Sequence, residues 1–314
     1  MVGLINVAPL GGGFFLGWTL GANGAANVFG TAVATRIISF RKAVVLCGLC
    51  VILGSDLQGQ AGIKTLSGLT AQTISTAAVV SVSAAVTVTL MAFWRIPIST
   101  SQAVVGAIFG IGLATRNAEY SGIVKIVLCW IGTPIGSMIM ACIIYKLLGW
   151  FIQHIPMSML TRDKILWSGL LIAGMYGSYA LGANNVTNST GIFSGLIEGV
   201  SDRYLAAIGG MAIALGVLTD SKRVMVSVGS GVMPLDAFSA LVAVLAMSLN
   251  VHVFAMIGAP VSTSQGIVGS IIGVGFMRGV RAINYKVLRE IAIGWLLTPV
   301  FSLIFSAAGY AIFC

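Results

Sequence analysis

Charged residues are scarce in this sequence. Asp, Glu, Lys and Arg together make up 8% of its 314 residues, whereas 58% of the residues are hydrophobic. Because about a quarter of the residues of a soluble globular domain are charged, this composition excludes a soluble protein. It predicts an all-α polytopic protein that crosses the cell membrane (plasma or inner) many times and has the lipid bilayer as its surroundings.

Sequence motifs of enzymes are also missing. The chain contains no HExxH, GxSxG or Walker motif and no paired catalytic acid and base, so the sequence predicts neither an enzyme nor a cofactor. A net charge of +9 would suggest a nucleic-acid partner for a soluble protein. In a membrane protein this excess is expected in cytoplasmic loops and helix ends, beside an anionic bilayer surface, so no nucleic-acid partner is predicted.

Four uncharged polar stretches interrupt the apolar runs. Residues 21–30 read GANGAANVFG and residues 182–191 read GANNVTNSTG; residues 97–102 read PISTSQ and residues 260–265 read PVSTSQ. A membrane tolerates such clusters where they line a protein interior or a cavity. We therefore predict that the four stretches together form the functional site.

The stretches occur in the same order at a nearly constant spacing. The first pair is 161 residues apart (21 to 182), the second 163 (97 to 260), and a third pair of motifs, WIGTPIGS from 130 and WLLTPVFS from 295, is 165 apart. This pattern indicates an internal duplication. We predict a first transmembrane repeat over 1–152, a linker over 153–164 and a second transmembrane repeat over 165–314.

The duplication also predicts an architecture. If each half crosses the membrane an odd number of times, the halves form an inverted repeat, and the two copies of each motif face each other near the midplane. About 12 helical segments are expected. They include two re-entrant hairpins, whose tips would be the PxSTSQ stretches. The absolute orientation in the membrane is left open at this point.

The PxSTSQ stretches have the features of helix starts that bind an anion. Pro, then Ser and Thr, then an apolar run is typical of a helix N-terminus, where unpaired N–H groups and the helix dipole favour negative charge. The alternative is that these residues only cap a helix. The predicted anion-binding residues are Ser99, Thr100, Ser101, Gln102, Ser262, Thr263, Ser264 and Gln265.

The GAN stretches have a different chemistry. Each has two Asn residues four positions apart, which lie on one face if the stretch is helical. Asn oxygens, together with freed backbone carbonyls of a broken helix, form a ligand set that suits Na⁺. The alternative is hydrogen bonding between helices. The predicted Na⁺-binding residues are Asn23, Asn27, Asn184, Asn188 and Thr187.

The doubled GANxxxN with the doubled P-[IV]-STSQ resembles the inorganic phosphate transporter (PiT) family, and the likeness covers essentially the whole chain. The resemblance implies an inverted-repeat transporter of about a dozen helical segments with two re-entrant hairpins. It implies uptake of inorganic phosphate coupled to Na⁺ or H⁺, with phosphate bound between the hairpin tips and the Asn motifs. It also implies a homodimer.

The sequence departs from the common family pattern GANDVAN at the acidic position. Gly24 and Asn185 occupy this position, and neither residue has a side chain that can take up and release a proton. This difference favours Na⁺ over H⁺ as the coupling ion, so we predict a Na⁺:phosphate symporter that works by alternating access. The alternatives are transport of sulfate or another oxyanion, proton-coupled phosphate transport and, less favoured, an anion channel.

Overall fold

The computed structural model describes residues 9–34, 36–93, 98–228, 235–279 and 285–314. Within these ranges the regular structure is helical, apart from one isolated β-bridge between Thr70 and Ala118. The α-helices are α1 (Leu10–Ala34), α2 (Phe40–Gln58), α3 (Gln60–Ser67), α4 (Ile74–Phe93), α5 (Thr100–Thr115), α6 (Tyr120–His154), α7 (Met159–Thr190), α8 (Asp202–Val228), α9 (Ala237–Met256), α10 (Thr263–Arg278) and α11 (Tyr285–Phe313). A 3₁₀ turn, Gly191–Phe193, follows α7.

Six of the described helices (α4, α6, α7, α8, α9 and α11) are long and apolar enough to cross a membrane. A crossing needs about 20 apolar residues, and the longest of them, α6, has 35. These helices confirm the predicted all-α polytopic membrane protein. The chain leaves the helical conformation between α6 and α7 at residues 155–158, within the predicted linker, whereas the division into two repeats stays a prediction.

The helices that carry the two Asn motifs cross each other in opposite directions. Gly24 of α1 lies against Leu181 of α7, and further along α1 the ring of Phe29 lies against Gly174. The contacts therefore advance along α1 while they recede along α7. An inverted repeat requires this antiparallel arrangement, and the orientation of the two halves in a bilayer stays a prediction.

Glycines permit matched close contacts between the halves. A Cβ atom added to Gly21 of α1 would lie 1.8 Å from the carbonyl oxygen of Ile213 in α8, and one added to Gly182 of α7 would lie 2.1 Å from that of Val51 in α2. Both distances are far shorter than a van der Waals contact, so only glycine, which has no Cβ atom, fits at these positions. The first residue of each Asn motif thus allows its helix to pack directly against the backbone of a helix from the other half.

The prolines of the third repeated motif also take part in matched close contacts between the halves. Pro134 lies inside α6 and Pro299 inside α11. A Cβ added to Gly269 of α10 would lie 2.2 Å from the Pro134 carbonyl oxygen, and one added to Gly106 of α5 would lie 2.4 Å from that of Pro299. The helix that follows each PxSTSQ stretch therefore packs on the proline-containing helix of the other half.

Two helix pairs, α4 with α5 and α9 with α10, pack as hairpins. Residues 98 and 99 are the described part of the joint in the first pair, and residues 257–262 join the second. The two joints meet, because the Ser101 hydroxyl donates to the Val261 carbonyl oxygen at 2.9 Å. The hairpin tips thus come together inside the protein, between α1 and α7.

Candidate functional site

Both hairpin tips are built as helix N-termini. Ser99 precedes α5 and Ser262 precedes α10, each with an extended backbone. The hydroxyl oxygen of Ser99 accepts from the N–H of Gln102 at 3.4 Å, and that of Ser262 accepts from the N–H of Gln265 at 3.3 Å. These are the N-cap contacts that Ser makes at helix starts. Pro97, the first residue of the first stretch, lies outside the described residues.

The Asn motif of each half contacts the hairpin tip of the other half. The Asn27 amide donates to the hydroxyls of Thr263 (3.2 Å) and Ser264 (3.1 Å). The Asn188 amide donates to the hydroxyl of Ser101 at 2.8 Å. The four polar stretches are therefore joined by reciprocal hydrogen bonds across the two halves.

A small cavity of about 20 Å³ lies between the tips and the Asn motifs. This volume holds about one water molecule. The described lining residues carry no charge, and several of the predicted site residues are among them. The cavity is lined by Leu20, Asn23, Gly24, Asn27, Ile98, Thr100, Ser101, Asn185, Ser262, Thr263 and Ser264.

The remaining predicted residues lie around the cavity rather than in its wall. Asn184 holds the second tip, because its amide donates to the Ala259 carbonyl at 3.0 Å and its oxygen accepts from the Val261 N–H at 3.1 Å. Asn23 lines the cavity, but its amide donates to Thr19 of its own helix at 2.9 Å. The predicted residues outside the wall are Ser99, Gln102, Gln265, Asn184, Asn188 and Thr187.

Four predicted site residues have a buried oxygen without a hydrogen-bond partner among the described residues. These atoms are Oε1 of Gln102, Oε1 of Gln265, Oγ1 of Thr187 and Oδ1 of Asn188. A buried polar atom without a partner costs about 1–3 kcal/mol, and such atoms are uncommon in native proteins. Neutral oxygens of this kind fit a cation or a hydroxyl donor as the missing partner.

One expectation about the Asn motifs is wrong. The first motif lies wholly within the continuous helix α1, and the second lies within α7 almost to its end at Thr190. Neither motif breaks its helix in the middle, so the proposed set of freed carbonyls is not formed there. Asn27 and Asn188 instead donate across the interface between the halves, and the helical hydrogen bonds are kept because unpaired backbone groups are costly in a membrane.

Two sets of polar residues are not among the predicted site residues. Asn185 lines the cavity and accepts from the Asn188 amide at 3.3 Å, although it was noted only for the missing acid. His252 of α9 is half-buried, with ring nitrogens 2.6 Å from the Tyr176 hydroxyl and 2.5 Å from Oε1 of Gln58. A titratable residue inside an apolar segment was the available signal.

The chain is similar to known phosphate and sulfate permeases. The sequence profile of the phosphate transporter family matches residues 20–306. A candidate phosphate permease of Methanocaldococcus jannaschii is 31% identical over 93% of this chain and 92% of its own length. The sulfate permease of Bacillus subtilis is 28% identical over 92% of this chain and 82% of its own length.

A solved structure, the sodium-dependent phosphate transporter, superposes with a TM-score of 0.88. It covers 99% of both chains at 22% identity, which establishes the likeness of the folds. The family profile, the relatives and the apolar helices together identify a multi-pass membrane transporter and not an enzyme, as predicted. This chain belongs to the phosphate transporter family.

Proposed function

We propose that this protein imports inorganic phosphate by symport with Na⁺ and works by alternating access. The observation that carries the proposal is the pair of reciprocal contacts from Asn27 to the second hairpin tip and from Asn188 to the first. These contacts bring two helix N-termini and two amide donors to one uncharged cavity. The family and the name of the structure with the same fold support the same substrate and coupling ion.

The tips have the chemistry to bind a tetrahedral oxyanion. The first-turn N–H groups of α5 and α10 and the hydroxyls of Ser101, Thr263 and Ser264 are neutral donors. The positive ends of two helix dipoles add to their field. Because no described lining residue is a carboxylate, the site does not repel the anion, and because none is a fixed cation, release remains easy.

Binding requires the tips to separate. A cavity of about 20 Å³ is smaller than a phosphate ion, since it holds about one water. The bond between the tips themselves, from Ser101 to the Val261 carbonyl oxygen, must break. The bonds from Asn27 to Thr263 and Ser264 and from Asn188 to Ser101 must break as well. The same donors can then turn to the anion, so the hydrogen bonds that close the cavity are replaced by bonds to phosphate.

The proposed Na⁺ position is the second Asn motif. Oγ1 of Thr187 and Oδ1 of Asn188 are buried and have no described partner, and oxygen atoms are the ligands of hard cations. Gly62 packs closely beside Thr187, because a Cβ added there would lie 2.1 Å from the Thr187 hydroxyl oxygen. Asn184 is assigned to support the hairpin rather than to bind the ion, since both its polar groups are used.

Asn188 would couple the two substrates. Its amide nitrogen contacts Ser101 at the anion-binding tip, and its oxygen faces the proposed cation. A cation held by the oxygen polarises the amide and strengthens its N–H donation to the anion. By linkage, bound phosphate then raises the affinity for Na⁺ by the same factor.

Sulfate transport is the second candidate function, because the sulfate permease of Bacillus subtilis is a relative over most of the chain. The hydroxyl and amide donors at the tips suit both anions. Phosphate near neutral pH also carries a hydroxyl that needs an acceptor, and the unpaired oxygens of Gln102 and Gln265 lie buried behind the tips. Proton-coupled transport and an anion channel remain as further alternatives for the coupling.

The test is uptake of radiolabelled phosphate into proteoliposomes with an inward Na⁺ gradient, then with K⁺ in its place at matched pH. We expect accumulation that requires Na⁺ and resists excess sulfate. Stronger inhibition by sulfate than by unlabelled phosphate would assign the chain to sulfate. Accumulation that follows an imposed pH gradient without Na⁺ would assign proton coupling, and flux without accumulation would indicate a channel.

Association as a homodimer is part of the same proposal and rests on the family resemblance. The protein exposes many large apolar side chains, such as Leu128 on α6 and Leu296 on α11. Lipid covers such a surface in a monomer, and a second copy covers part of it in a dimer. Cross-linking in native membranes, followed by mass measurement of the purified protein, tests this. A monomer at all protein-to-lipid ratios would contradict it.

A further inference from the structure

A large groove opens on the side of the protein where α2 and α7 begin. Its volume is about 670 Å³, within the range of about 300–1,000 Å³ that small-molecule sites have. Most of its wall is apolar. We call it the lateral groove and define it by Ile37, Ile38, Ser39, Arg41, Lys42, Val45, Leu46, Trp167 and Leu171.

One end of the lateral groove is polar and basic. Arg41 and Lys42 lie in the first turn of α2, which contains no acidic residue. Ser39 lines the groove, lies directly before this helix and makes no side-chain capping bond. Trp167 closes the opposite wall, and its indole N–H donates to the Ile37 carbonyl at 2.6 Å. Tryptophan with one apolar face and one bonded N–H is typical of the membrane interface.

The two matched arginines differ in how their charge is compensated. Arg203 of α8 occupies in the second half the place of Arg41 in the first, 162 residues earlier. Arg203 forms a two-point ion pair with Asp56, at 3.0 and 3.1 Å. Within the described residues, neither Arg41 nor Lys42 pairs with an acid. The groove therefore presents two positive charges that the protein does not neutralise.

This groove lies at the more basic end of the protein. The described ends of α1, α6, α8 and α10 and the starts of α2, α7, α9 and α11 lie at the groove's end of the molecule. Their described basic residues are Arg36, Arg41, Lys42, Arg162, Lys164, Lys222, Arg278, Lys286 and Arg289, and their acids are Asp163, Asp220, Asp236 and Glu290. Positive charge at one end indicates the cytoplasmic side, where the leaflet is anionic.

The opposite end is balanced. The joints between α2 and α4, α5 and α6, and α7 and α8 meet there through the Thr70–Ala118 bridge and the Asp56–Arg203 pair. Their basic residues are Lys64, Arg116, Lys125 and Arg203, and their acids are Asp56, Glu119, Glu198 and Asp202. The groove is therefore at the end where anionic lipid is expected.

We propose that the lateral groove binds an anionic phospholipid of the cytoplasmic leaflet. The lipid phosphate would contact Arg41, Lys42 and the start of α2, and an acyl chain would lie along Val45, Leu46 and Leu171. The complementary charge and the apolar wall favour this occupant over a second copy of the chain. Lipid bound there would brace the start of α2 against α7, the two helices that pack together through Gly182.

The test uses the purified full-length protein in detergent and native mass spectrometry. Phosphatidylglycerol and phosphatidylcholine with identical acyl chains are titrated separately. We expect phosphatidylglycerol to bind at least tenfold more tightly to the unmodified protein. The double variant Arg41→Gln/Lys42→Gln should weaken that binding about thirtyfold, because each basic residue near the membrane surface contributes a factor of about five.

Two further variants make the result specific. Lys286→Gln/Arg289→Gln removes the same charge from the same end, at exposed positions outside the groove, and should change the affinity less than twofold. Val45→Trp keeps both charges but narrows the groove at a half-exposed position, and should also weaken binding. Unchanged thermal unfolding in lipid-free detergent shows that the variants are folded.

Four outcomes would overturn the proposal. They are equal affinity for the two lipids, an equal loss in the two double variants, displacement of phosphatidylglycerol by inorganic phosphate, and lipid-independent cross-linking of Val45→Cys to a second copy. The last two would assign the groove to free phosphate or to a dimer contact. Phosphate uptake is not part of the measurement, so the result is independent of the proposed transport function.

Discussion

The two Asn motifs have similar sequences but different surroundings. In the first motif Asn27 contacts the opposite hairpin tip, while Asn23 bonds within its own helix. In the second motif Asn188 contacts a tip and also keeps a buried oxygen without a partner, next to Thr187. The residue that matches Thr187 in the first motif is Ala26, which has no polar side chain. The two motifs thus share their packing but differ in their chemistry.

The glycine contacts that pack the helices form a symmetric scaffold, whereas the polar site between the Asn motifs is asymmetric. The close contacts of Gly21 and Gly182 are equivalent in both halves. Among the predicted residues of the Asn motifs, the two with a buried oxygen that has no described partner, Thr187 and Asn188, both belong to the second half. Substitutions in the scaffold should therefore have equal effects on the two sides, and substitutions in the site should not.

The largest effect is expected from the scaffold glycines. Gly21→Ala and Gly182→Ala each place a Cβ within about 2 Å of a backbone carbonyl oxygen of a neighbouring helix, and overpacking of this kind costs about 3 kcal/mol or more. Thermal unfolding in detergent measures the loss, which should be similar for both variants. Gly11→Ala is the control, because a Cβ added there meets no atom within 4 Å. A large loss at only one of the two positions would contradict the equivalence.

The second-largest effect is expected on phosphate uptake, which should depend more on the second Asn motif than on the first. Asn188→Ala removes the bond to Ser101 and the proposed cation ligand, whereas Asn27→Ala removes only its bonds to the other tip. With about 1–3 kcal/mol lost for each buried interaction, we expect phosphate uptake to fall about hundredfold in Asn188→Ala and about tenfold in Asn27→Ala.

Initial rates of phosphate uptake in proteoliposomes, normalised to the amount of folded protein, give the comparison of the two Asn variants. Equal losses of uptake in the two variants would contradict the proposal that Asn188 binds the cation as well as the hairpin tip.

A smaller and more specific effect is expected from Thr187→Val. The change keeps the shape of the side chain and removes a buried hydroxyl oxygen that has no described partner, so the fold should be retained. We expect the Na⁺ concentration for half-maximal uptake to rise about tenfold, as for one lost ligand contact. The matched control is Thr87→Val, whose hydroxyl bonds to the Ser83 carbonyl in α4.

The Thr187 variant also tests the kind of coupling. If Thr187→Val lowers the maximal rate without changing the Na⁺ dependence, the hydroxyl does not contact the cation. If uptake and Na⁺ dependence are both unchanged, the proposed Na⁺ position is wrong.

The smallest effect is expected at the Asp56–Arg203 pair. It is a solvent-facing ion pair, with the Arg203 side chain 69% exposed, and such pairs contribute little to stability because water and salt screen them. Asp56→Asn should leave both the unfolding temperature and Na⁺-driven uptake nearly unchanged. Loss of a proton-driven component in this variant would instead assign coupling to Asp56.

Much of the site follows from the sequence because the relevant residues are polar ones in apolar surroundings. The repeated spacing predicted that the four stretches belong together, and the hairpin tips begin helices at Ser99 and Ser262 as the Ser/Thr pattern indicated. The reciprocal partners could not be predicted, because the spacing is the same whether a motif contacts its own hairpin or that of the other half.

The close contacts between helices are the second feature that the sequence does not predict. Gly54 and Gly216 have contacts as close as those of Gly21, since added Cβ atoms would lie 2.0 Å from Tyr179 O and 1.9 Å from Trp18 O. Glycine is common in this chain, with 40 residues, so its position alone does not reveal a helix crossing. The contacts of His252 with Tyr176 and Gln58 join three helices that are distant in sequence, and local patterns carry no information about them.

The reciprocal bonds between the halves have a consequence for biosynthesis. When the first half has entered the membrane and the second is still being made, the Asn27 amide and the Ser101 hydroxyl have no partners from the other half. Unpaired polar groups in hydrocarbon are costly, so a prematurely ended chain would carry a polar surface toward lipid. That surface would distinguish an unfinished transporter from a complete one and offer membrane quality control a feature to recognise.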